Sequence, residues 1–399
     1  MKSLKSNRLH IGIFGKTNVG KSSLLNKITA QDIAVVSDIA GTTTDVVEKS
    51  MELLPVGPVV FLDSAGTDDN TILGAQRLEK TLKTLNRIDV GVLVCDYSGL
   101  NTYDESLMLK FRELNIPFII IINKSDIQKI SVEGLDNIKK HCENILETSV
   151  KSDKDIVYKF KSELLKLLPD DFANTPKIVG DIVPEGSTVV MVVPIDKEAP
   201  KGRIILPQVQ TLRDLLDSGC VTLAVRDSEL KAALDNLKTP PSLVITDSQA
   251  FKKVNEIVPE NIKLTSFSIL FARLKGDLDA FVEGAKTIDK LQDGDKVLIL
   301  ESCTHHAIED DIGRVKIPNL LRKRTGKNLI IEHFSGHDFP DISDYRLVIH
   351  CGGCMTNRKE ILSRILICSK AGVPVTNYGI AISYCLGILG RAVKIFSDK

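Results

Sequence analysis

GKTNVGKSS, residues 15–23, and HCGGC, residues 350–354, are the stretches whose residue types and spacing could do chemistry. The first fits G-x-x-x-x-G-K-S/T, a loop that cradles phosphates. Gly15 and Gly20 let the backbone wrap phosphate oxygens with its N–H groups, and the helix that follows adds a favourable dipole. Lys21 would reach the β- and γ-phosphates, Ser22 would ligate magnesium, and Val19 and Ser23 complete the contact set. Such a loop needs a strand before it and a helix after it. LHIGIF and SSLLNKI supply that pattern.

Three later segments choose the base. DSAG (63–66) closes the apolar run VVFLD, where Asp63 can hold magnesium through water and the Gly66 N–H can sense a γ-phosphate. NKSD (123–126) closes PFIIIIN, and Asp126 there offers two acceptors to the paired N–H donors of guanine, a pattern adenine lacks. Asn123 would brace the loops, the Lys124 stem would lie over the base, and Ser149 and Val150 of TSVK (148–151) would add backbone contacts. In this order, each at a strand end, the segments specify a GTP-binding domain.

In the switch stretch DIAGTTTD (38–45), Thr42 or Thr43 should coordinate magnesium, with Thr43 favoured. Lys21, Asn18 and Thr43 are the expected catalytic residues. This region is similar to the TrmE/Era-like GTPases, whose switch reads G-T-T-R-D; Thr44 stands in the arginine's place. The resemblance implies that Asn18 holds a potassium ion, which would supply the positive charge an arginine finger gives elsewhere. A turn-forming role for Asn18 is the competing reading. Thr67 stands where Ras-type enzymes keep a water-orienting glutamine, so hydrolysis must be organised otherwise.

At the other end, Cys351 and Cys354 can bind one metal centre, and Cys303 in ESCTHHAIEDD offers a third thiolate. A Cys3His zinc site completed by His305, His306 or His350 fits the spacing about as well as an iron–sulfur cluster does. A thioredoxin-like redox pair fits less well. Cys95, Cys142, Cys220, Cys368 and Cys385 read as structural thiols. His10 and His141 read as surface or edge histidines; His333 and His337, delivered to the same face by another strand end, read as loop-stabilising, with metal ligation the competing reading.

The elements that must position these groups show as alternating apolar runs and amphipathic stretches. Through residue 172 the alternation implies a doubly wound parallel sheet with its sites at the carboxyl ends of the strands. LPDDFANTPKIVGDIVPEGS reads as a linker. Strands TVVMVVP, VTLAVRD and SLVITD define a small packing or assembly domain over 180–262. A further α/β unit over 265–399 holds DKVLILESC, NLIIEHF and YRLVIHCGGC, strands that all finish on potential ligands. The expected fold class is therefore α/β in three domains, the first (1–172) a P-loop GTPase.

Lys+Arg and Asp+Glu both total 52, which removes any global pull toward nucleic acid or an anionic membrane. Arg322, Lys323 and Arg324 read as a solvated helix face. YGIAISYCLGILG is too short and too glycine-rich to span a bilayer and reads as a buried helix. The N-terminal apolar run is too short for a signal peptide, so a cytoplasmic protein with reduced thiols is expected.

A GTPase of this type followed by C-T-H and then H-C-x-x-C resembles, end to end, the [FeFe]-hydrogenase maturation GTPases. The resemblance implies that Cys303, Cys351 and Cys354 hold a [4Fe–4S] cluster whose fourth iron keeps an exchangeable position. His306, then His305, would be the labile fourth ligand, or the histidines would sit behind the ligands. It implies a homodimer formed by the middle domain and GTP, magnesium, potassium and the cluster as cofactors. It also implies a scaffold that receives a di-iron precursor from radical-SAM maturases and passes it to apo-[FeFe]-hydrogenase. The alternative is a GTPase of RNA modification or ribosome assembly with a structural Cys3His zinc site.

Overall fold

The computed structural model describes residues 8–31, 47–63, 84–168, 177–195, 204–301, 311–336, 339–353 and 356–396. They belong to two compact units, Met1–Thr175 and Pro176–Lys399.

The first unit is built on β1 (Leu9–Phe14), β2 (Val47–Leu53), β3 (Gly57–Asp63), β4 (Val90–Cys95), β5 (Phe118–Ile122) and β6 (Ile145–Glu147). Their order is β2-β3-β1-β4-β5-β6, with β2 antiparallel to β3 and the other pairs parallel. β1, β4 and β5 are buried at every position. Unbroken apolar runs are what a parallel sheet covered on both faces requires. Helices α1 (Lys21–Gln31), α2 (Thr102–Glu113), α3 (Val132–His141) and α4 (Ile156–Leu167) pack against it. Asn101 and Asp104 cap the start of α2 reciprocally, and the Ser131 hydroxyl caps α3. One apolar cluster, with Leu24, Leu25 and Phe160, and a second, with Phe14, Leu107 and Phe111, form the cores of this unit.

The second unit holds two parallel sheets. The first contains β7 (Thr188–Val192), β8 (Val221–Val225), β9 (Leu243–Thr246) and β10 (Lys263–Ser266), in the order β10-β9-β7-β8. The second contains β11 (Lys296–Glu301), β12 (Ile330–Ser335), β13 (Leu347–His350) and β14 (Val375–Asn377), in the order β12-β11-β13-β14. The α-helices are α5 (Leu206–Asp217), α6 (Leu230–Asn236), α7 (Phe251–Ile257), α8 (Phe267–Lys275), α9 (Leu278–Ala285), α10 (Ile317–Thr325), α11 (Arg358–Ala371), α12 (Tyr378–Cys385) and α13 (Leu389–Val393).

β10 lies beyond residue 262, where the sequence pattern puts the end of the middle domain, and pairs with β9. Its last residue, Ser266, caps α8 through its hydroxyl, which carries the middle sheet's connectivity on to Lys275. One apolar cluster includes Val190, Val244 and Leu264 of the first sheet with Leu298, Ile299 and Ile349 of the second, so the sheets share a core. Gly379 to Ser383 of α12 are buried, as expected of an internal helix. Among the described residues no helix is long and apolar enough to cross a membrane.

Candidate functional site

The sheet order brings the ends of β1, β3, β4 and β5 side by side, and the motif segments follow those ends. After β1 the chain enters the phosphate loop. Gly15 has φ 137°, and a Cβ there would lie 2.1 Å from the Val94 carbonyl oxygen of β4. Gly20 has φ 103°, and its Cβ would lie 2.2 Å from Asn123 Nδ2. Both positions exclude a side chain on steric and torsional grounds. Asn18 is left-handed, with φ 64°, a conformation asparagine tolerates better than most residues, so the loop itself gives it a backbone role.

Lys21 is buried and donates to the carbonyls of Gly15 (2.8 Å) and Lys16 (2.6 Å), which holds its ammonium across the loop. Ser22 Oγ donates to Asp63 Oδ2 at 3.2 Å. Asp63 Oδ1 is buried with no hydrogen-bond partner among the described residues. Burial pushes the Asp63 carboxyl up, against the lowering effects of Ser22, Lys21 and Lys49. A hydroxyl beside a carboxylate oxygen that needs a partner is an all-oxygen donor set, which fits magnesium.

On the base side, Asn123 Nδ2 donates to Val19 O at 2.8 Å, and its Oδ1 accepts from Val150 N at 2.9 Å. One buried amide thus ties the phosphate loop to the loop after β6. Lys124, at φ 64°, pairs with Asp96 at 3.1 Å. Lys27, which no motif singles out, donates to the carbonyls of Val150 (2.7 Å) and Asp153 (2.8 Å) and fixes the same loop to α1. These groups surround a cavity of about 400 Å³ lined by Asn18, Gly20, Lys124, Asp126, Ser149 and Val150, among others. That volume lies in the range of small-molecule sites. Thr42, Thr43 and Gly66 lie outside the described residues.

In the second unit, β11 and β13 are adjacent and parallel, with Leu300 opposite His350. The chain continues from β11 toward Cys303 and from β13 directly into Cys351, whose N–H donates to Leu300 O at 2.8 Å. Gly352 faces open space, whereas Gly353 has φ 60° and a Cβ there would lie 2.6 Å from Ile361 Cδ1. The first glycine leaves room at the cysteines and the second makes the turn. Cys303, Cys354, His305, His306 and His337 lie outside the described residues. Among the described residues no group of three or more metal-binding side chains assembles.

His350 is almost fully buried, and both its ring nitrogens are engaged. Nδ1 meets the Cys351 carbonyl at 2.6 Å, and Nε2 meets Arg364 NH1 at 2.7 Å. A carbonyl only accepts and a guanidinium only donates, so the ring is neutral with its proton on Nδ1. His350, weighed above as a zinc ligand, is turned inward and positions the loop instead. Arg364 is paired with Glu360 at 2.8 Å, both side chains being buried, and also donates to Gly336 O at 2.9 Å. Neither residue carries a sequence signal, because each is a single charge on an ordinary helical stretch.

The thiols expected to be structural are so placed. Cys95, Cys142, Cys220 and Cys368 are buried, and burial pushes the Cys95, Cys368 and Cys385 thiols up to about 12. Burial favours the protonated thiol in each. His10 is buried on β1 rather than at an edge, with Nδ1 facing Arg8 O at 2.8 Å. His333, on β12, faces Gly313 O of the short helix Ile312–Lys316 with its Nε2 at 3.2 Å, a strand-to-helix contact rather than the expected loop one.

Curated relatives cover the amino-terminal chemistry. The tRNA modification GTPase MnmE of Prochlorococcus marinus is 36% identical over 148 residues, 36% of this chain and 31% of that protein. GTPase Der of a Nitratiruptor species is 38% identical over 136 residues, 33% of this chain and 29% of that protein. The chain spans about a third of the length of these relatives. Among solved structures, Era of Aquifex aeolicus bound to GDP.AlF4- aligns with 55% of this chain and 94% of its own, at 21% identity and a TM-score of 0.34.

Family models account for most of the rest. Residues 10–124 match the 50S ribosome-binding GTPase model. Residues 178–276 match the hydrogen maturase F dimerization domain, and residues 279–395 its tetramerization domain. The segment expected to bind a cluster is therefore also an assembly domain. The last two matches together span more than half of the sequence, and with the GTPase domain ahead of them the chain belongs to the hydrogen maturase F family of GTPases.

Proposed function

We propose that this protein hydrolyses GTP to gate a scaffold that loads [FeFe]-hydrogenase. Cys303, Cys351 and Cys354 would hold a [4Fe–4S] cluster that leaves one iron exchangeable, with His306 or His305 as its labile ligand. The oligomer would receive a di-iron precursor from radical-SAM maturases and deliver it to the apo-hydrogenase in the cytoplasm. The observation that carries the reading is the pairing of β11 with β13. The strand that runs toward Cys303 and the strand that runs into Cys351 are parallel neighbours whose carboxyl ends lie at the same end of the sheet, which supports a shared site for the two cysteines. Cys351 at a half-buried strand end and the open space at Gly352 suit a cluster bounded by sulfur. When bound, such a cluster would supply an iron with an exchangeable position, and Cys303, Cys351 and Cys354 would hold it.

Anaerobic reconstitution of the full chain tests this. Iron, sulfide and a brown chromophore are expected, and Cys351→Ser should lose most of the bound iron. Zinc without visible absorbance would sink the scaffold reading and favour the RNA-modification or ribosome-assembly alternative. The relatives named for tRNA modification match only about a third of the chain, which supports the GTPase chemistry but not that role.

In the GTPase unit, Lys21 would bind the β/γ-phosphates, Ser22, Thr43 and Asp63 would hold magnesium, and Asn18 would hold potassium. The potassium role has its own test. Replacing potassium by sodium at constant ionic strength should slow hydrolysis by about tenfold or more, the scale of one added cation at developing phosphate charge. Equal rates in the two salts would reduce Asn18 to the turn residue its φ of 64° already explains.

A further inference from the structure

We infer that Lys275 clamps the cysteine loop from behind and sets the charge felt by the group its thiolates hold; the second part rests on the cluster reading above. Lys275 ends α8, in the segment that matches the dimerization domain, yet its Nζ is buried against the loop of the segment that follows. It donates to Gly353 O at 2.8 Å and to Thr356 O at 3.0 Å. Those two carbonyls flank Cys354, the second thiol of the pair. Arg358 NH1 adds a bond to Leu274 O at 2.6 Å, so the end of α8 and the start of α11 are joined from both sides.

The arrangement exceeds what a turn needs. Gly353 already supplies the left-handed conformation, and Asn357 caps α11 through its side chain. Burying an ammonium is costly, so a lysine here contributes something that an apolar residue would not. Two contributions are available. The first is mechanical, because one ammonium holds both the Gly353 and the Thr356 carbonyl and so ties the two ends of that short stretch together. The second is electrostatic. Lys275 brings a positive charge to the carbonyls of Gly353 and Thr356, residues next to Cys354 in the sequence. Reduction of an iron–sulfur centre adds negative charge, and its potential follows local charge, hydrogen bonding and exposure. Lys275 is therefore a positioning residue that favours the reduced state and ties the loop to the helix of an assembly domain.

The test uses full-length wild type, Lys275→Met, Lys275→Arg and Lys275→Gln, with and without reconstitution. In Lys275→Met the reduced-to-oxidised ratio at a given applied potential should fall about tenfold, equivalent to about 59 mV for one electron, read by an EPR-monitored titration. In the cluster-free protein, hydrogen exchange over residues 350–357 should accelerate about tenfold. Lys275→Arg should keep most of both properties. Lys275→Gln keeps a donor without the charge and should exchange slowly yet show the lowered ratio; it carries the comparison where Lys275→Met does not fold. Unchanged ratio and unchanged exchange in the uncharged variants would overturn the inference. A wild type that takes up no iron would instead defeat the cluster reading and with it the electrostatic part, while the exchange data still decide the clamp.

Discussion

Lys21→Ala is expected to lower GTP hydrolysis by about 100-fold or more at saturating nucleotide, measured as phosphate release, with the fold retained by circular dichroism. Lys21 starts α1, and its ammonium already lies across the phosphate loop on the carbonyls of Gly15 and Lys16. It is the cation expected at the β/γ-phosphates. Gly15 and Gly20, ahead of it in the loop, exclude side chains there, since any Cβ would strike Val94 O or Asn123. Charge that develops on the transferred phosphoryl group would lose its nearest fixed counter-charge in the alanine variant. A residual rate within threefold of wild type would show that the loop does not bind the reacting phosphates in this way.

Asp126→Asn is expected to weaken GTP binding by about 100-fold or more and to raise affinity for xanthosine triphosphate. The carboxylate would accept from both N–H donors on guanine's edge, and hydrogen bonds to a charged group are worth about 1.5–3 kcal/mol each. The amide leaves one acceptor and turns a donor toward guanine's amino group, so one bond is lost and one contact becomes repulsive. Xanthine carries a carbonyl at that position and restores the match. A site built on such pairing discriminates strongly because its failure leaves polar groups unpaired. Asp126 lines the cavity with Lys124 and Ser149, while Asn123 and Lys27 hold the loop that closes it. Titration with both nucleotides decides the matter, and GTP affinity within threefold of wild type would mean that the base lies elsewhere.

The two variants read different parts of one pocket. Lys21 would act at the phosphates, so its loss should fall mainly on the rate. Asp126 would act at the base, so its loss should fall on affinity and nucleotide choice. The cysteine loop has its own tests, iron uptake in Cys351→Ser and the redox ratio in Lys275→Met.

The parts of this molecule legible in the sequence are those in which the backbone does the work over a few consecutive residues. GKTNVGKS encodes its own curvature through Gly15 and Gly20, and HCGGC encodes its turn through Gly353, so spacing along the chain is spacing in space. The apolar runs of β1, β4 and β5 likewise declare a sheet covered on both faces. Tertiary structure alone decided what lies behind these loops. Asn123 reaches Val19 across 104 positions, Lys27 reaches Val150 across 123, and Lys275 reaches Gly353 across 78. A lone lysine or arginine on a helix has no periodic signature, and its long side chain can reach several partners. Only the order of the strands and the shared core fix which carbonyl it meets. For the same reason HCGGC names its cysteines but not the fate of its histidine. The ring of His350 turns inward because β13 sets its direction and α11 brings Arg364 to it.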